Sequence, residues 1–303
     1  MNFFAELLAL GVGFIWAVSG LISAYPVRVF GAFAFARVRQ NVVVIVIGAA
    51  LLFSDSFDLM SWEATALILC SGFIGIFLGD TALFAALDRL GPRRNAMIFA
   101  LNAPITGILA VAVGKDEINF SEWVGVLLVL IGVLIAILYG KRRDLIHTWE
   151  QVRGPLWIGV GLSLTAALCQ AVGLVLSDFV IDVAPANKPP VILVAALRVG
   201  IGAVALNALA TFGWSAMQPA SAPSTRAWFL ACLSGVWGIG LGMTILVWAQ
   251  SLGSEVGLIS ALSQTTPIWI LPLIWIWTKE RPATIAFVGA GIAVVGVFLI
   301  QLG

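Results

Sequence analysis

The sequence predicts an all-α integral membrane protein with ten transmembrane helices, arranged as two inverted five-helix repeats around a central cavity. Three observations support this: an apolar composition, an internal duplication and an asymmetric distribution of basic residues. Hydrophobic residues make up 61% of the 303 residues and charged residues only 10%, whereas soluble domains carry about 25% charged residues. The chain is therefore expected to fold within a bilayer.

The apolar residues occur in runs that are long enough to cross a membrane. A spanning helix needs about 20 apolar residues, and the spans must be helical because lipid offers no hydrogen-bond partners to a free backbone. Ten runs meet this criterion, at approximately 3–24, 31–53, 63–86, 95–113, 121–140, 155–181, 190–212, 226–249, 255–277 and 283–302.

The duplication is visible as a glycine-rich segment, residues 71–81, that recurs as residues 234–244. Pro104 in the fourth span recurs as Pro267 in the ninth at the same offset. Internal repeats in an apolar chain are typical of secondary transporters, whose substrate site lies between the repeats. We therefore predict a first repeat, a basic linker and a second repeat at residues 1–140, 141–154 and 155–303.

The basic residues indicate that the second repeat is inverted relative to the first. Eleven of them lie in loops on the side of the linker: Arg28, Arg89, Arg93, Arg94, Lys141, Arg142, Arg143, Arg153, Arg226, Lys279 and Arg281. Only Lys115 and Lys188 lie on the opposite side. The positive-inside rule places the linker in the cytoplasm and both termini outside.

Several segments together resemble a known family of transporters. They are Phe14–Gly20, Ala36-Arg37-Val38, Leu197-Arg198-Val199, the proline-centred helices 101–105 and 264–268 with the acidic residues Glu117 and Glu280 after them, and the glycine-spaced fifth and tenth spans. Over essentially its whole length the chain is similar to the EamA type of the drug/metabolite transporter superfamily.

The resemblance implies a basket of ten helices whose cavity is lined mainly by spans one, three, four, six, eight and nine, with spans five and ten at the periphery. It also implies that amino acids and related metabolites are frequent cargo and are often exported. Ten-span relatives generally have both termini in the cytoplasm, which is opposite to what the charges here favour, so the absolute orientation stays open.

Asp80 is the most informative single residue. A carboxylate inside a span costs a few kcal/mol (about 2.5–3.5 on insertion scales) unless it meets water or a partner, and such groups are often functional. The second repeat has Met243 at the equivalent position, so the duplicated scaffold does not require the acid. Asp80 is predicted to couple protons or to bind a substrate amine; alternatively it snorkels or pairs with Arg89 or Arg93.

Polar and aromatic residues inside the spans complete the predicted substrate site. The predicted substrate-binding residues are Trp16, Ser19, Asp80, Asn102, Gln170, Trp248, Gln250, Gln264, Thr265 and Trp269. Core packing by the tryptophans and hydrogen bonding between helices by the amides are the competing interpretations. Pro104 and Pro267 are predicted hinges, because proline removes a backbone hydrogen bond; a simple packing kink is the alternative. Arg37, Arg39 and Arg198 are further charges within the spans; Arg37 and Arg198 occupy matching places in the two repeats, which favours a structural role, and a direct role in substrate binding is the alternative.

The sequence favours a transporter over other classes of protein. No catalytic set can be assembled around the single histidine, His147, and the three cysteines lack metal-ligand spacing, so no metal or cofactor is expected. No basic surface for nucleic acid is present. We expect a multi-pass protein of the cell (inner) membrane that exports a small metabolite by alternating access, with the lipid bilayer and the substrate as partners. A homodimer through the glycine-spaced spans is allowed, and a non-transporting scaffold or partner subunit is the alternative function.

Overall fold

The computed structural model describes residues 3–52, 61–115, 119–138, 152–183, 190–253, 255–278 and 283–302. In these ranges the regular secondary structure is helical and no strand occurs. Predictions on His147, on most of the linker, and on Glu117, Glu280 and Lys188 lie outside the described residues.

The helices follow the predicted spans closely. The first half contains α1 (Phe3–Ser23), α2 (Pro26–Phe30), α3 (Ala32–Leu52), α4 (Trp62–Gly72), α5 (Thr81–Leu90), α6 (Pro92–Phe99), α7 (Asn102–Ala112) and α8 (Phe120–Leu138). The second half contains α9 (Leu156–Val183), α10 (Val191–Thr211), α11 (Thr225–Ser234), α12 (Gly242–Ser251), α13 (Val256–Ser263), α14 (Thr266–Thr278) and α15 (Thr284–Leu302). Eight helical runs in the described residues are long and apolar enough to cross a membrane. Shorter apolar stretches in α8 and α15 complete the ten predicted spans.

Spans three and eight each contain a π-helical segment at the duplicated glycines. These segments, Phe73–Asp80 and Gly235–Leu241, join α4 to α5 and α11 to α12. A π-helix leaves backbone carbonyls imperfectly paired and often occurs at functional sites. Here the Trp16 indole Nε1 donates to the Gly238 carbonyl at 3.1 Å, and the Gln40 amide donates to the Ile76 carbonyl at 3.3 Å.

The helix pairings show that the two halves are related by an approximate two-fold axis. Spans two and seven (α3 and α10), four and nine (α7 and α13), and five and ten (α8 and α15) each pack against their own equivalent. Span three packs on α9, and span eight packs correspondingly on α1. The interface between the halves therefore runs through the middle of the bundle.

Loop contacts confirm the inverted topology. At one end, Ser221, between spans seven and eight, donates its backbone N–H to the Val29 carbonyl, between spans one and two, at 3.0 Å. At the other end, Lys115 after span four forms a 2.9 Å ion pair with Asp178 near the end of span six. The loop between spans one and two thus lies beside the loop between spans seven and eight. Loops after the first and second spans of the two halves can share one membrane surface only if one half is inverted.

Glycines allow the closest approaches between the halves. A Cβ at Gly132 in α8 would overlap backbone atoms of α15, and a Cβ at Gly296 in α15 would meet the Gly125 carbonyl of α8 at 2.6 Å. These glycines therefore pack spans five and ten against each other within one chain. The homodimer stays a prediction, and these contacts give it no support.

The structure corrects the predicted position of the two prolines. Spans four and nine are each broken into two helices, and Pro104 and Pro267 lie in the first turn of the second piece, α7 and α14, rather than in a helix interior. Proline is tolerated there because the first amides of a helix have no intrahelical partner. Pro267 has no N–H to donate to the Ser263 carbonyl, and this carbonyl instead accepts a hydrogen bond from Thr266 Oγ1 at 3.3 Å. The breaks themselves fall just before the prolines, at residues 100–101 and 264–265.

Candidate functional site

A cavity of about 110 Å³ lies between the two halves. Its walls are mostly apolar with a few polar side chains, as is usual for small-molecule sites. The lining residues are Trp16, Ser19, Gly20, Arg39, Asp80, Leu83, Phe84, Leu87, Pro92, Asn95, Ala96, Phe99, Gln170, Gly238, Ile239, Met243, Thr266 and Ile270. They come from spans one, three, four, six, eight and nine, as the resemblance implied, and also from span two through Arg39.

The structure brings together four of the predicted substrate-binding residues in this cavity: Trp16, Ser19, Asp80 and Gln170. Gln170 is only 4% exposed, and its amide makes no hydrogen bond to any described residue. Asp80 likewise makes no hydrogen bond or close ion pair within the described part of the chain. Both polar groups are therefore open to a ligand in the cavity.

The Asp80 carboxylate interacts electrostatically with two buried guanidinium groups, those of Arg39 and Arg198. These two arginines, and not Arg89, are the described charges that act on Asp80; the Arg93 side chain lies outside the described part of the structure. Two positive charges and one negative charge meet here at the boundary between the halves. Such a group costs free energy unless its members are hydrogen-bonded or balanced by another charge.

Arg39 is held firmly in span two. Its Nη2 donates to Ser19 Oγ at 3.2 Å and to the Ser234 carbonyl at 3.0 Å. Its guanidinium carbon lies 4.3 Å from the centre of the Phe84 ring, within range of a cation–π interaction. Nε and Nη1 have no hydrogen-bond partner among the described residues. Arg39 is thus fixed by span one, span three and span eight together.

Arg198 in span seven is fully buried and much less well satisfied. None of its three guanidinium nitrogens has a hydrogen-bond partner among the described residues. A Cβ at Gly75 would lie 3.5 Å from Arg198 Nη2, and one at Gly238 would lie 2.8 Å from Arg39 Nη2. Because Gly75 and Gly238 are equivalent glycines, the counterpart of Arg198 is Arg39. The sequence-based match of Arg198 with Arg37 was wrong.

Trp16 combines a structural contact with a place in the cavity wall. Its indole N–H is occupied by the Gly238 carbonyl, so only the ring surface is available to a ligand. The Trp237 indole N–H donates in turn to the Ile15 carbonyl at 3.1 Å. These two bonds lock span one to the π-helical segment of span eight.

Two predicted site residues instead hold helices together. The Asn102 Oδ1 accepts a hydrogen bond from Ser260 Oγ at 2.9 Å, which joins spans four and nine. The Gln250 Oε1 accepts one from Ser177 Oγ at 3.0 Å, and its Nε2 donates to the Leu174 carbonyl at 3.2 Å. Neither residue lines the cavity. Their prediction as substrate-binding residues is corrected, because their side chains form hydrogen bonds with neighbouring helices.

The remaining four predicted residues also lie outside the cavity. Gln264 and Thr265 are buried at the break of span nine, where Thr265 Oγ1 donates to the Leu262 carbonyl at 2.8 Å. Trp248 is 42% exposed and packs edge-on against Phe4 at 5.4 Å.

Trp269 is 38% exposed and packs edge-on against Phe14 at 5.5 Å. Both tryptophans therefore pack against aromatic side chains of α1 and not against a ligand in this cavity.

Sequence reasoning missed two polar residues of the site. Arg39 was considered structural, and Asn95 was not singled out. The Asn95 Oδ1 accepts from Ser163 Oγ at 2.9 Å, and its Nδ2 donates to the Leu83 carbonyl at 3.2 Å. A charge inside a predicted span marks Arg39 as a candidate in the sequence. Its equivalence to Arg198 becomes visible only in the structure, where Gly235 packs on Arg39 and the equivalent Gly72 packs on Arg198.

The two span glutamines offer a direct test of this assignment. We expect Gln170→Leu to reduce transport strongly, since it removes an unpaired polar group from the cavity, while changing stability little. Gln250→Leu should lower stability by about 0.6–2 kcal/mol, because hydrogen bonds between membrane helices have this magnitude, and leave substrate specificity unchanged. Thermal unfolding and transport of the purified variants would check both; equal transport defects would contradict the assignment.

No cluster of three or more histidine, cysteine or acidic side chains that could hold a metal is found among the described residues.

Comparisons with known proteins agree with this architecture. The EamA-like transporter family matches residues 3–138 and 157–302. A Bacillus subtilis (strain 168) protein described as "Uncharacterized transporter YyaM" is 26% identical over 234 residues, which cover 77% of this chain and 70% of the relative. A crystal structure of a protein with 17% identity matches 100% of this chain and 97% of its own length with a TM-score of 0.72, and supports the fold alone.

The family match covers both halves of the chain and nearly all its helices, and the structure supplies the spans and the inverted halves. The chain is therefore a multi-pass membrane transporter and belongs to the EamA-like transporter family.

Proposed function

We propose that this protein is a secondary transporter that exports a small amphipathic metabolite, most simply an amino acid or a related compound, across the inner membrane. The observation that carries the proposal is the cavity between the two halves, where Asp80 and Gln170 offer polar groups that make no hydrogen bond within the described residues. Family members are transporters, which fits a chain that carries out no chemistry on its cargo.

The lining suits a molecule with both charged and apolar parts. The Asp80 carboxylate can accept hydrogen bonds from an amine, while Arg39 provides positive charge on the same wall. Phe84, Phe99 and the ring of Trp16 provide apolar surface for a side chain. Asp80 is also the proposed proton carrier, since it is the acidic residue among the described lining residues.

The proposed mechanism is alternating access, in which the two halves rock about the cavity. The π-helical segments and the breaks in spans four and nine lie at the interface that would have to rearrange. The glycines of the π-helical segments bring helices together without bulky side chains, so that one helix can slide on another.

The proposal is tested by filling the cavity. Ala96 lines it, and Ala96→Phe is expected to abolish transport because the added ring occupies the substrate volume. Purified protein in proteoliposomes would be screened for counterflow of labelled amino acids, nucleosides and sugars. Ala49→Phe is the matched control, since Ala49 is exposed on α3 and the same ring there should be harmless.

The proposal of a transport site in the central cavity would be contradicted if the wild-type protein transported none of these compounds, or if Ala96→Phe transported as well as the wild type. In that case a scaffold or partner subunit would be the better description. If the wild-type protein transports and Ala96→Phe does not, labelled efflux from inverted and right-side-out vesicles separates export from import.

A further inference from the structure

A second cavity, of about 310 Å³, lies away from the central one, at the arginine-rich end of the bundle. It is bounded by α3, the start of α11 and the segment that follows α10. We call it the Arg37 groove, and its lining residues are Phe30, Ala34, Arg37, Val38, Asn41, Val42, Met217, Pro219, Trp228 and Cys232. The transport proposal makes no use of these residues.

The groove contains a positive charge without a matching carboxylate. Arg37 Nε donates to Asn207 Oδ1 at 2.9 Å, and Asn207 Nδ2 donates to Asn41 Oδ1 at 2.7 Å. No acidic side chain occurs among the described lining residues, and the two terminal nitrogens of Arg37 donate to none of the described residues. The asparagines therefore orient the guanidinium, and its remaining N–H groups are left for a ligand.

The position along the helices corresponds to the boundary between headgroups and acyl chains. Arg37 lies one to two turns into α3, about 8 Å from its start at 1.5 Å per residue. Trp228 lies in the first turn of α11 and packs edge-on against Phe30 at 4.8 Å. Tryptophans at this depth are typical of the membrane interface. Below them, Val44 and Ile45 of α3 are exposed apolar residues, 36% and 70%.

Basic residues also occur two positions before the lining residues Phe30 and Trp228, namely Arg28 in α2 and Arg226 in α11. The Arg226 guanidinium lies 5.6 Å from the centre of the Tyr25 ring. Burial and the nearby Arg153 lower the pKa of Arg28 from its ordinary value, while Asp88 acts in the opposite direction. Basic residues near a membrane surface attract anionic lipids.

The fold does not require this network. The approximate two-fold axis places Ala196 and Gly200 where Arg37 and Asn41 stand, and Gly48 where Asn207 stands. At the opposite end of the α3–α10 pair these positions thus carry small residues, and a Cβ at Gly48 or Gly200 would meet no atom within 4 Å. The charged network exists at one membrane surface only, which indicates a ligand specific to that leaflet.

We propose that the Arg37 groove binds the phosphate of an anionic phospholipid from the leaflet at the arginine-rich side of the protein. The Arg37 fork donates two hydrogen bonds to the phosphate, Trp228 packs against the glycerol region, and an acyl chain runs over Val44 and Ile45. The central transport site plays no part in this binding.

The test measures lipid binding to purified protein in zwitterionic mixed micelles. Phosphatidylglycerol is added, and bound lipid is counted by native mass spectrometry while thermal unfolding is followed in parallel. We expect saturable binding to the wild-type protein and about tenfold weaker binding to Arg37→Gln. Arg226→Gln is the matched control, because it removes the same charge from a residue that does not line the groove, and it should retain binding within about twofold.

Three results would overturn the proposal: unchanged binding in Arg37→Gln, equal losses in Arg37→Gln and Arg226→Gln, or an equal response to soluble glycerol phosphate. Should Arg37→Gln fail to fold, Val42→Phe decides the matter, because it fills the groove and leaves Arg37 in place. Loss of phosphatidylglycerol binding in Val42→Phe supports the site, and full binding refutes it.

Discussion

Replacement of Asp80 with asparagine is expected to abolish accumulation driven by a pH gradient, while exchange of substrate across the membrane continues. A carboxylate can carry a proton through the transport cycle, whereas an amide of nearly the same shape cannot. Asp80 lines the central cavity and interacts with both buried arginines. Its neutralisation therefore removes the proposed proton carrier without closing the cavity.

The measurement is accumulation and counterflow of the same labelled substrate in proteoliposomes, with and without an imposed pH gradient. Asp178→Asn serves as the control, since Asp178 is buried in span six but pairs with Lys115 at 2.9 Å, and it does not line the cavity. Asp178→Asn should reduce stability and leave the dependence on the gradient intact.

An Asp80→Asn variant with unchanged pH dependence would remove Asp80 from the coupling role. The substitution also leaves two buried guanidinium groups without a carboxylate, and breaking a buried pair costs about 3–5 kcal/mol. If the variant does not fold, Asp80→Glu keeps the charge and the proton site, and it should retain coupling with altered substrate affinity. Loss of coupling in a stable Asp80→Glu variant would contradict a simple carrier role.

Substitution of the two equivalent arginines with methionine is expected to have opposite consequences for stability. Arg39→Met should destabilise the protein by about 3 kcal/mol or more, because a hydrogen-bonded buried charge is lost and Asp80 keeps only one partner. Arg198→Met should change stability by less than about 1 kcal/mol or increase it, since two buried guanidinium groups face one carboxylate, and removal of the one without hydrogen bonds leaves Arg39 and Asp80 as a balanced pair.

The reason lies in the neighbours of each guanidinium. Arg39 donates to Ser19 Oγ and to the Ser234 carbonyl and lies against Phe84. Gly173 takes the place of Ser19 in the other half, so Arg198 has no equivalent hydroxyl and makes no hydrogen bond within the described residues. Methionine preserves much of the hydrocarbon stem of Arg198 while removing a fully buried charge.

Thermal unfolding in detergent compares the two variants, and Arg226→Met at the exposed rim controls for the loss of any arginine. Equal destabilisation by Arg39→Met and Arg198→Met would contradict the prediction, because it would show that both guanidinium groups are stabilised equally by their surroundings. The double variant Asp80→Asn/Arg198→Met offers a further comparison: removal of one excess charge should recover part of the stability lost in Asp80→Asn alone.

The fold was largely predictable because its signals are local in the chain. Apolar runs fix the spans within a few residues, as in α3, predicted at 31–53 and observed at Ala32–Leu52. The duplicated glycines at 71–81 and 234–244 revealed the repeat, and they lie at the π-helical segments of spans three and eight. The environment of single polar residues was not predictable in the same way. Asn102, Gln170 and Gln250 are similar amide side chains within spans, but Gln170 lines the cavity while Asn102 and Gln250 bond to neighbouring helices.

The sequence by itself thus determined the membrane environment, the ten spans and the inverted repeat, because hydrophobicity, charge and duplication are properties of residues along the chain. Only the tertiary structure decided which polar groups meet: that Arg39, not Arg37, is the counterpart of Arg198, and that Gln170 faces the cavity while Gln250 does not. Within a span nearly every face is apolar, so the rotation of a helix about its axis leaves little trace in the sequence. It is set instead by close packing at glycines such as Gly72 and Gly235, from the opposite half of the molecule.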